Sequence, residues 1–205
     1  PLPILNFIIK NFRKYDIAID MEEYLNFSSI VSFFAAKSGI GYSHNARAKL
    51  YTKTISFNDR QHQVKTFLDL VRVLRISCDA DSLPGLNYSP EDAAYVEEFL
   101  KKNSVSKNDM LIGIAPGAAE SAKARMWPLD KYIVLIEDII RKHNTKIILI
   151  GSENEIELSN TIMGKLKNRN IINSMGKLNL RQLFCMMPKL KLFIGNDAGA
   201  MHIAA

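Results

Sequence analysis

No G-x-G-x-x-G follows any apolar run in this sequence, and it contains neither a Walker A lysine motif nor a G-x-S-x-G elbow. A nicotinamide site, a P-loop and a hydrolase nucleophile therefore have no support. Gly39-Ile40-Gly41 lacks the third glycine and follows a predicted helix. Cysteine is scarce: Cys78 and Cys185 stand far apart, which excludes zinc and redox spacings and fits structural thiols in a reducing compartment. The apolar start, Leu2 to Ile9, is too short to span a bilayer. Its basic residues, Lys10, Arg13 and Lys14, follow the apolar run, the reverse of a secretory signal.

What is present is an ordinary globular composition, 47% apolar and 23% charged over 205 residues, enough for one large or two small domains. The chain opens Pro1-Leu2-Pro3 without Met and closes one turn into a predicted helix, so it reads as a fragment truncated at both ends. The net charge of +6 is uneven. Residues 37–75 carry Lys37, Arg47, Lys49, Lys53, Arg60, Lys65, Arg72 and Arg75 against only Asp59 and Asp69. Such a segment is either a solvated basic face or a surface for a phosphate-bearing partner or an anionic membrane. No nucleic-acid-binding motif accompanies it, so nucleic acid is not the expected partner.

Along the chain, residues 16–20 read as a strand, and Ser28–Ser38 as a helix stopped by Gly39. His62–Ile76 places Val64, Phe67, Leu68, Val71 and Leu74 at helical spacing. Ser82–Tyr88 reads as loop, and Ser89-Pro90-Glu91-Asp92 caps a helix running to about Lys102. After a polar stretch over 103–109, strands at 110–115, 146–150, 171–172 and 192–194 alternate with helices at 128–143, 153–167 and 179–187. That alternation through short loops predicts a parallel sheet with right-handed crossovers, a Rossmann-like domain. The predicted division is 1–105 and 106–205.

Ligands of open parallel sheets sit beyond the carboxyl ends of the strands. Three such ends are distinctive. Pro116-Gly117-Ala118-Ala119 is followed by Lys123, Arg125 and Trp127-Pro128; small residues let a ligand reach the backbone and cations suit phosphate, although a plain surface loop has the same look. Gly151-Ser152-Glu153-Asn154-Glu155 offers carboxylates for ribose hydroxyls, or simply acidic charge in a first helical turn. Gly195-Asn196-Asp197-Ala198-Gly199 opens onto a helix whose N–H groups suit phosphate, with Gly199 leaving the approach clear. Asp197 either caps that helix or accepts from a sugar hydroxyl, and His202 either packs or donates to a phosphate or hydroxyl. Three anion- or sugar-suited loops on one sheet edge, without a dinucleotide fingerprint, suggest a nucleotide-sugar site.

In order along the chain, "IAPGAAESAKARMWPLDKY", "IILIGSENE", "GKLNLRQL" and "LFIGNDAGAMHIAA" resemble glycosyltransferase family 9, the ADP-heptose:lipopolysaccharide heptosyltransferases. The likeness is strong over 111–205 and looser over residues 15–50. It implies an α/β, GT-B-like fold of two Rossmann-like domains with parallel sheets, donor on the C-terminal domain and lipid-linked acceptor on the N-terminal one. The implied reaction is an inverting, metal-independent transfer of heptose from ADP-heptose to the lipopolysaccharide inner core, without a cofactor. It places the protein in the cytoplasm with a peripheral contact at the inner membrane.

Carried over by position, Arg125 faces the donor diphosphate where the family has Lys, with Lys123 as the second candidate cation and Ala118 and Ala119 in the same small-residue loop. Glu155 matches the ribose-binding Glu, Glu153 is its neighbour, and Leu178 lies in the third motif. Asp197, Ala198, Gly199 and His202 match the D-x-G-x-x-H turn that holds the sugar-diphosphate. Ala198 departs from the usual Ser or Thr, and the loop carrying the family's proposed catalytic Asp precedes residue 1. These departures leave a non-catalytic nucleotide-sugar-binding module or decayed paralogue, or a family member using another nucleotide-sugar donor, as the alternative.

Overall fold

A computed structural model describes residues 2–79, 85–119, 123, 124 and 126–205. The chain divides into two compact units, Pro1–Pro84 and Gly85–Ala205.

In the first unit, helix α1 (Leu2–Lys10) precedes strand β1 (Tyr15–Ile19), helix α2 (Asn26–Ala35), strand β2 (Ala36–Tyr42), a 3₁₀ segment (Asn45–Leu50), strand β3 (Lys53–Ile55) and helix α3 (Gln63–Arg72). The three strands form a parallel sheet in the order β1-β2-β3. The expected helix over 28–38 ends early: residues 36–38 already belong to β2, and Gly39 is a strand residue rather than a helix stop. The reason lies across the sheet. A β-carbon on Gly41 would stand 2.4 Å from ring atoms of Tyr51, and one on Gly39 would stand 3.2 Å away, so this strand uses glycine to seat an aromatic ring. The core is small, with Ile40, Tyr42 and Leu70 fully buried. Beneath the ring, Arg47 Nη2 bonds Asp20 Oδ2 at 3.0 Å and the Tyr51 hydroxyl at 2.9 Å, and that hydroxyl donates to Asp20 Oδ2 at 2.5 Å.

The second unit runs α4 (Pro90–Lys102), β4 (Met110–Ala115), α5 (Leu129–Lys142), β5 (Thr145–Leu149), α6 (Ile156–Leu166), β6 (Ile171–Asn173), α7 (Leu180–Met186), β7 (Leu192–Gly195) and α8 (Gly199–Ala204). All four strands are parallel, in the order β6-β5-β4-β7. From β4 the chain steps outward through β5 to β6, then crosses back to place β7 on the other side of β4. The strand order thus reverses between β4 and β7, where open α/β sheets bind ligands. β4 is central and buried along nearly its whole length, which is why Met110–Ala115 is a continuous apolar run rather than an alternating one. One face of the sheet packs on α4 and α7 through Val96, Phe99, Leu100, Cys185 and Met186. The other packs on α5 and α6 through Tyr132, Ile133, Ile136 and Ile162.

The boundary therefore lies at 84/85 and not at 105/106 as the sequence suggested. Helix α4 belongs to the second unit because its apolar face inserts beside Leu111 and Ile148 of that sheet. The polar stretch at 103–109 is the exit from this helix, with Val105 N–H bonded back to Leu100 and Asp109 capping the turn at Ser106. The predicted capping box holds: Ser89 accepts from Asp92 N–H at 3.2 Å, and the Asp92 carboxylate accepts from Ser89 N–H at 3.1 Å, worth about 1 kcal/mol of helix stability.

Candidate functional site

Beyond the carboxyl ends of β4, β5, β6 and β7 the second unit opens a cleft of about 520 Å³, within the range of small-molecule sites. One wall is the loop after β4, with Gly117, Ala118, Ala119 and Lys123. The opposite wall is the turn after β7, with Ala198, Gly199 and Ala200. Glu155 closes the end beyond β5, and Leu178 and Leu183 supply an apolar side. Residues about 80 positions apart in sequence thus converge on one cavity.

Of the residues singled out in the sequence, Ala118, Ala119, Lys123, Glu155, Leu178, Ala198 and Gly199 line this cleft, whereas Glu153, Asp197 and His202 do not. Arg125 lies outside the described residues. The two glutamates are separated by local geometry. Ser152–Glu155 forms a capping box, so Glu155 Oε2 accepts from Ser152 N–H at 2.6 Å and from its hydroxyl at 2.8 Å. This folds the Glu155 carboxylate back over Gly117 and Gly151. Glu153 lies instead against Gly176, whose positive φ of 70° suits glycine at the turn after β6.

The reading of Asp197 as a helix cap is overturned: the N-cap of α8 is Ala198, which has no capping side chain. Asp197 Oδ1 lies 3.6 Å from His202 Nε2, with both side chains exposed at the rim.

Four residues of the site were not singled out in the sequence. Ser174, after β6, lines the cleft and donates its hydroxyl to Leu149 O at 2.7 Å. Asn179, read from the sequence only as the start of a helix, and Leu180 also reach the wall. Asn196 makes four hydrogen bonds behind the wall: Oδ1 accepts from Trp127 N–H at 2.9 Å and the Tyr132 hydroxyl at 3.2 Å, and Nδ2 donates to Pro116 O at 2.8 Å and Gly117 O at 3.2 Å. Trp127 packs edge-on against Tyr132 at 4.9 Å between ring centroids.

The basic segment of the first unit is less open than its composition suggests. Arg47 is interior and paired with Asp20, Lys37 pairs with Asp16, and Arg72 pairs with Asp69 and Asp79. Among the described residues no cluster of three or more His, Cys, Asp or Glu side chains is placed to hold a metal ion, and no helix is long and apolar enough to cross a membrane.

The chain resembles known proteins in sequence and in fold. Lipooligosaccharide heptosyltransferase 2 of Haemophilus ducreyi is 27% identical over 208 residues, covering 94% of this chain and 58% of that protein. The chain therefore spans a little over half the length of this curated relative. Among solved structures, a glycosyl transferase of family 9 from Veillonella parvula superposes with a TM-score of 0.73 at 21% identity, over 99% of this chain and 57% of that one. E. coli heptosyltransferase WaaC with ADP-2-deoxy-2-fluoro heptose gives 0.67 at 16% identity, over 99% and 62%. These likenesses carry the fold, an α/β, GT-B-like pair of units on parallel sheets. The model of glycosyltransferase family 9 (heptosyltransferase) matches residues 9–205, and the chain belongs to that family.

Proposed function

We propose that the protein is a glycosyltransferase that moves heptose from ADP-heptose onto a lipopolysaccharide inner-core acceptor. The observation that carries this reading is the cleft at the β4–β7 switch point. It gathers a small-residue loop with a lysine, a carboxylate fixed by a capping box, and a second small-residue turn. A diphosphate fits against the backbone of Ala118, Ala119, Ala198 and Gly199, whose own side chains are small, with Lys123 supplying positive charge. Glu155 then faces the ribose hydroxyls, and the apolar side formed by Leu178 and Leu183 takes the base. The name of the Haemophilus relative, and the ADP-sugar analogue carried by the E. coli structure, point to the same donor.

In the reaction, the acceptor hydroxyl oxygen attacks the anomeric carbon of the heptose as the bond from that carbon to the β-phosphate oxygen breaks. The hydroxyl proton passes to a base, ADP leaves with the bonding pair, and attack from the opposite face inverts the anomeric configuration. Lys123, Arg125 and the backbone N–H groups meet the charge growing on the leaving diphosphate, so no divalent metal is required. Asp197 and His202 at the rim address the sugar and its phosphate. The acceptor is a lipid-linked core oligosaccharide, placing the work at the cytoplasmic face of the inner membrane. Calorimetry with ADP and ADP-heptose, followed by transfer assays in excess chelator, tests this. Binding with chelator-resistant turnover is expected. Turnover lost on chelation and restored by magnesium overturns the metal-free mechanism, and binding without turnover makes the chain a donor-binding module.

A further inference from the structure

We infer that Asn196 is the positioning residue of the donor cleft, holding its two walls at a fixed spacing. The proposal rests on the reading of this cleft as the donor site, but its argument is independent of which sugar is carried. The last paired residues of the β4–β7 ladder are Ala115 and Gly195. Past that pair the ladder ends, so the carbonyls of Pro116 and Gly117 lie outside it although both residues are buried. Buried carbonyls need partners. The Asn196 side chain supplies them, its Nδ2 donating to both at 2.8 and 3.2 Å.

The same amide reaches a third segment. Its oxygen accepts from Trp127 N–H and from the hydroxyl of Tyr132, a side chain buried in the core against the sheet. A carboxamide offers two donors and one oxygen with two lone pairs, and all four capacities are used. Its orientation follows from chemistry, because carbonyls cannot donate and a backbone N–H cannot accept. The loop bearing Ala118, Ala119 and Lys123, the start of α5, and the turn bearing Ala198 and Gly199 are thereby tied at one point. Asn196 itself does not line the cleft. Its contribution is to fix where the wall backbones stand, to which affinity for a rigid diphosphate is sensitive.

Replacing one side of the amide separates this role from general packing. In Asn196→Asp the bonds from Trp127 and Tyr132 persist, but a carboxylate oxygen meets the carbonyls of Pro116 and Gly117. Those contacts become repulsive until the introduced carboxyl is protonated, which the facing carbonyls favour. Two readouts are taken on the full chain: calorimetric affinity for ADP between pH 8 and pH 5, and amide hydrogen exchange of the ligand-free protein. The expected result is an ADP affinity lowered by about tenfold at pH 8, a deficit relative to the parent that closes as pH falls, and faster exchange at 117–119 with Trp127 N–H still protected. Should that variant fail to fold, Asn196→Gln, which keeps the amide but moves it by one methylene, is read the same way at pH 8. A variant that matches the parent in affinity and in loop exchange overturns the inference. So does a deficit that is constant with pH and accompanied by faster exchange throughout the unit. A parent chain that does not bind ADP overturns the donor-site reading instead, and loop exchange then decides the tie by itself.

Discussion

Glu155 lies so close over Gly117 that a β-carbon on the glycine would stand 1.8 Å from Glu155 Oε1 and 2.4 Å from its carboxyl carbon. The loop after β4 and the capping box after β5 are therefore fitted to one another with no room for a methyl group. The group that would have to move is the end of a flexible side chain, so the fold can absorb the change while the carboxylate cannot keep its place. Gly117→Ala is expected to leave the melting transition of the second unit nearly unchanged, with a stability change within about 1 kcal/mol. It should lower ADP affinity by about fivefold or more as Glu155 leaves its bonds to Ser152. Calorimetry beside thermal melting measures both, and unchanged affinity would separate Glu155 from the nucleotide.

The two cations of the same loop are distinguishable by ligand. Lys123 lines the cleft, and the family resemblance assigns the diphosphate to Arg125. If both meet phosphate, Lys123→Ala and Arg125→Ala each weaken ADP binding by about 1.5–3 kcal/mol, the scale of a charge-assisted hydrogen bond. Adenosine, which has no phosphate, should bind each variant as it binds the parent. A variant that loses ADP and adenosine equally places its cation elsewhere.

At the rim, Asp197→Asn conserves shape and removes charge. Since Asp197 is largely exposed and the cap position belongs to Ala198, stability should change by no more than about 0.5 kcal/mol. Turnover should fall by about tenfold or more, on the scale of a lost charged hydrogen bond to the transferred sugar. His202→Ala should behave alike. Parental rates in both variants would show the pair to be structural.

The first unit carries its own test. Asp20 and Arg47 pair at 3.0 Å with side chains 3% and 0% exposed. Asp20→Ala strands a buried guanidinium and should cost about 3–5 kcal/mol, read by chemical denaturation. Alkali should act on the same place. Burial first, then the bond to Asp20, pushes the Tyr51 hydroxyl up to about 12, and burial does the same for Tyr42. An ordinary tyrosine titrates near 10, so the folded form holds these protons more tightly than the unfolded chain. Their contribution is complete below about pH 10 and is lost as pH rises toward 12. Tyrosinate absorbance of the parent, from which that of Tyr42→Phe and Tyr51→Phe variants is subtracted, followed with circular dichroism, should show these two hydroxyls ionising together with unfolding of this unit; their ionisation near 10 in a folded chain would contradict it.

Regular alternation in the second half was readable because each helix there carries its apolar face at 3.6-residue spacing and each strand is a short apolar run between loops. β2 escaped because Lys37-Ser38-Gly39-Ile40-Gly41 has few strand-forming residues; it is a strand because Tyr51, a distant ring, needs the glycines. The loop at 116–119 was readable because its small residues follow a strand end directly, whereas the capping box that orients Glu155 was not anticipated. Asn196 was passed over between Gly195 and Asp197 because its partners lie 64 to 80 positions earlier. No local pattern announces a side chain whose bonds are all distant.

The cores are unequal. Two buried layers of eleven and ten residues sandwich the second sheet, against three buried residues in the main cluster of the first unit, among the described residues. Resistance to opening follows buried apolar contact, so a protease should find the first unit sooner and leave the second unit as its durable product. Denaturation of this chain would then be a sequence of events with separate midpoints, for which a single melting temperature is an average over two different objects.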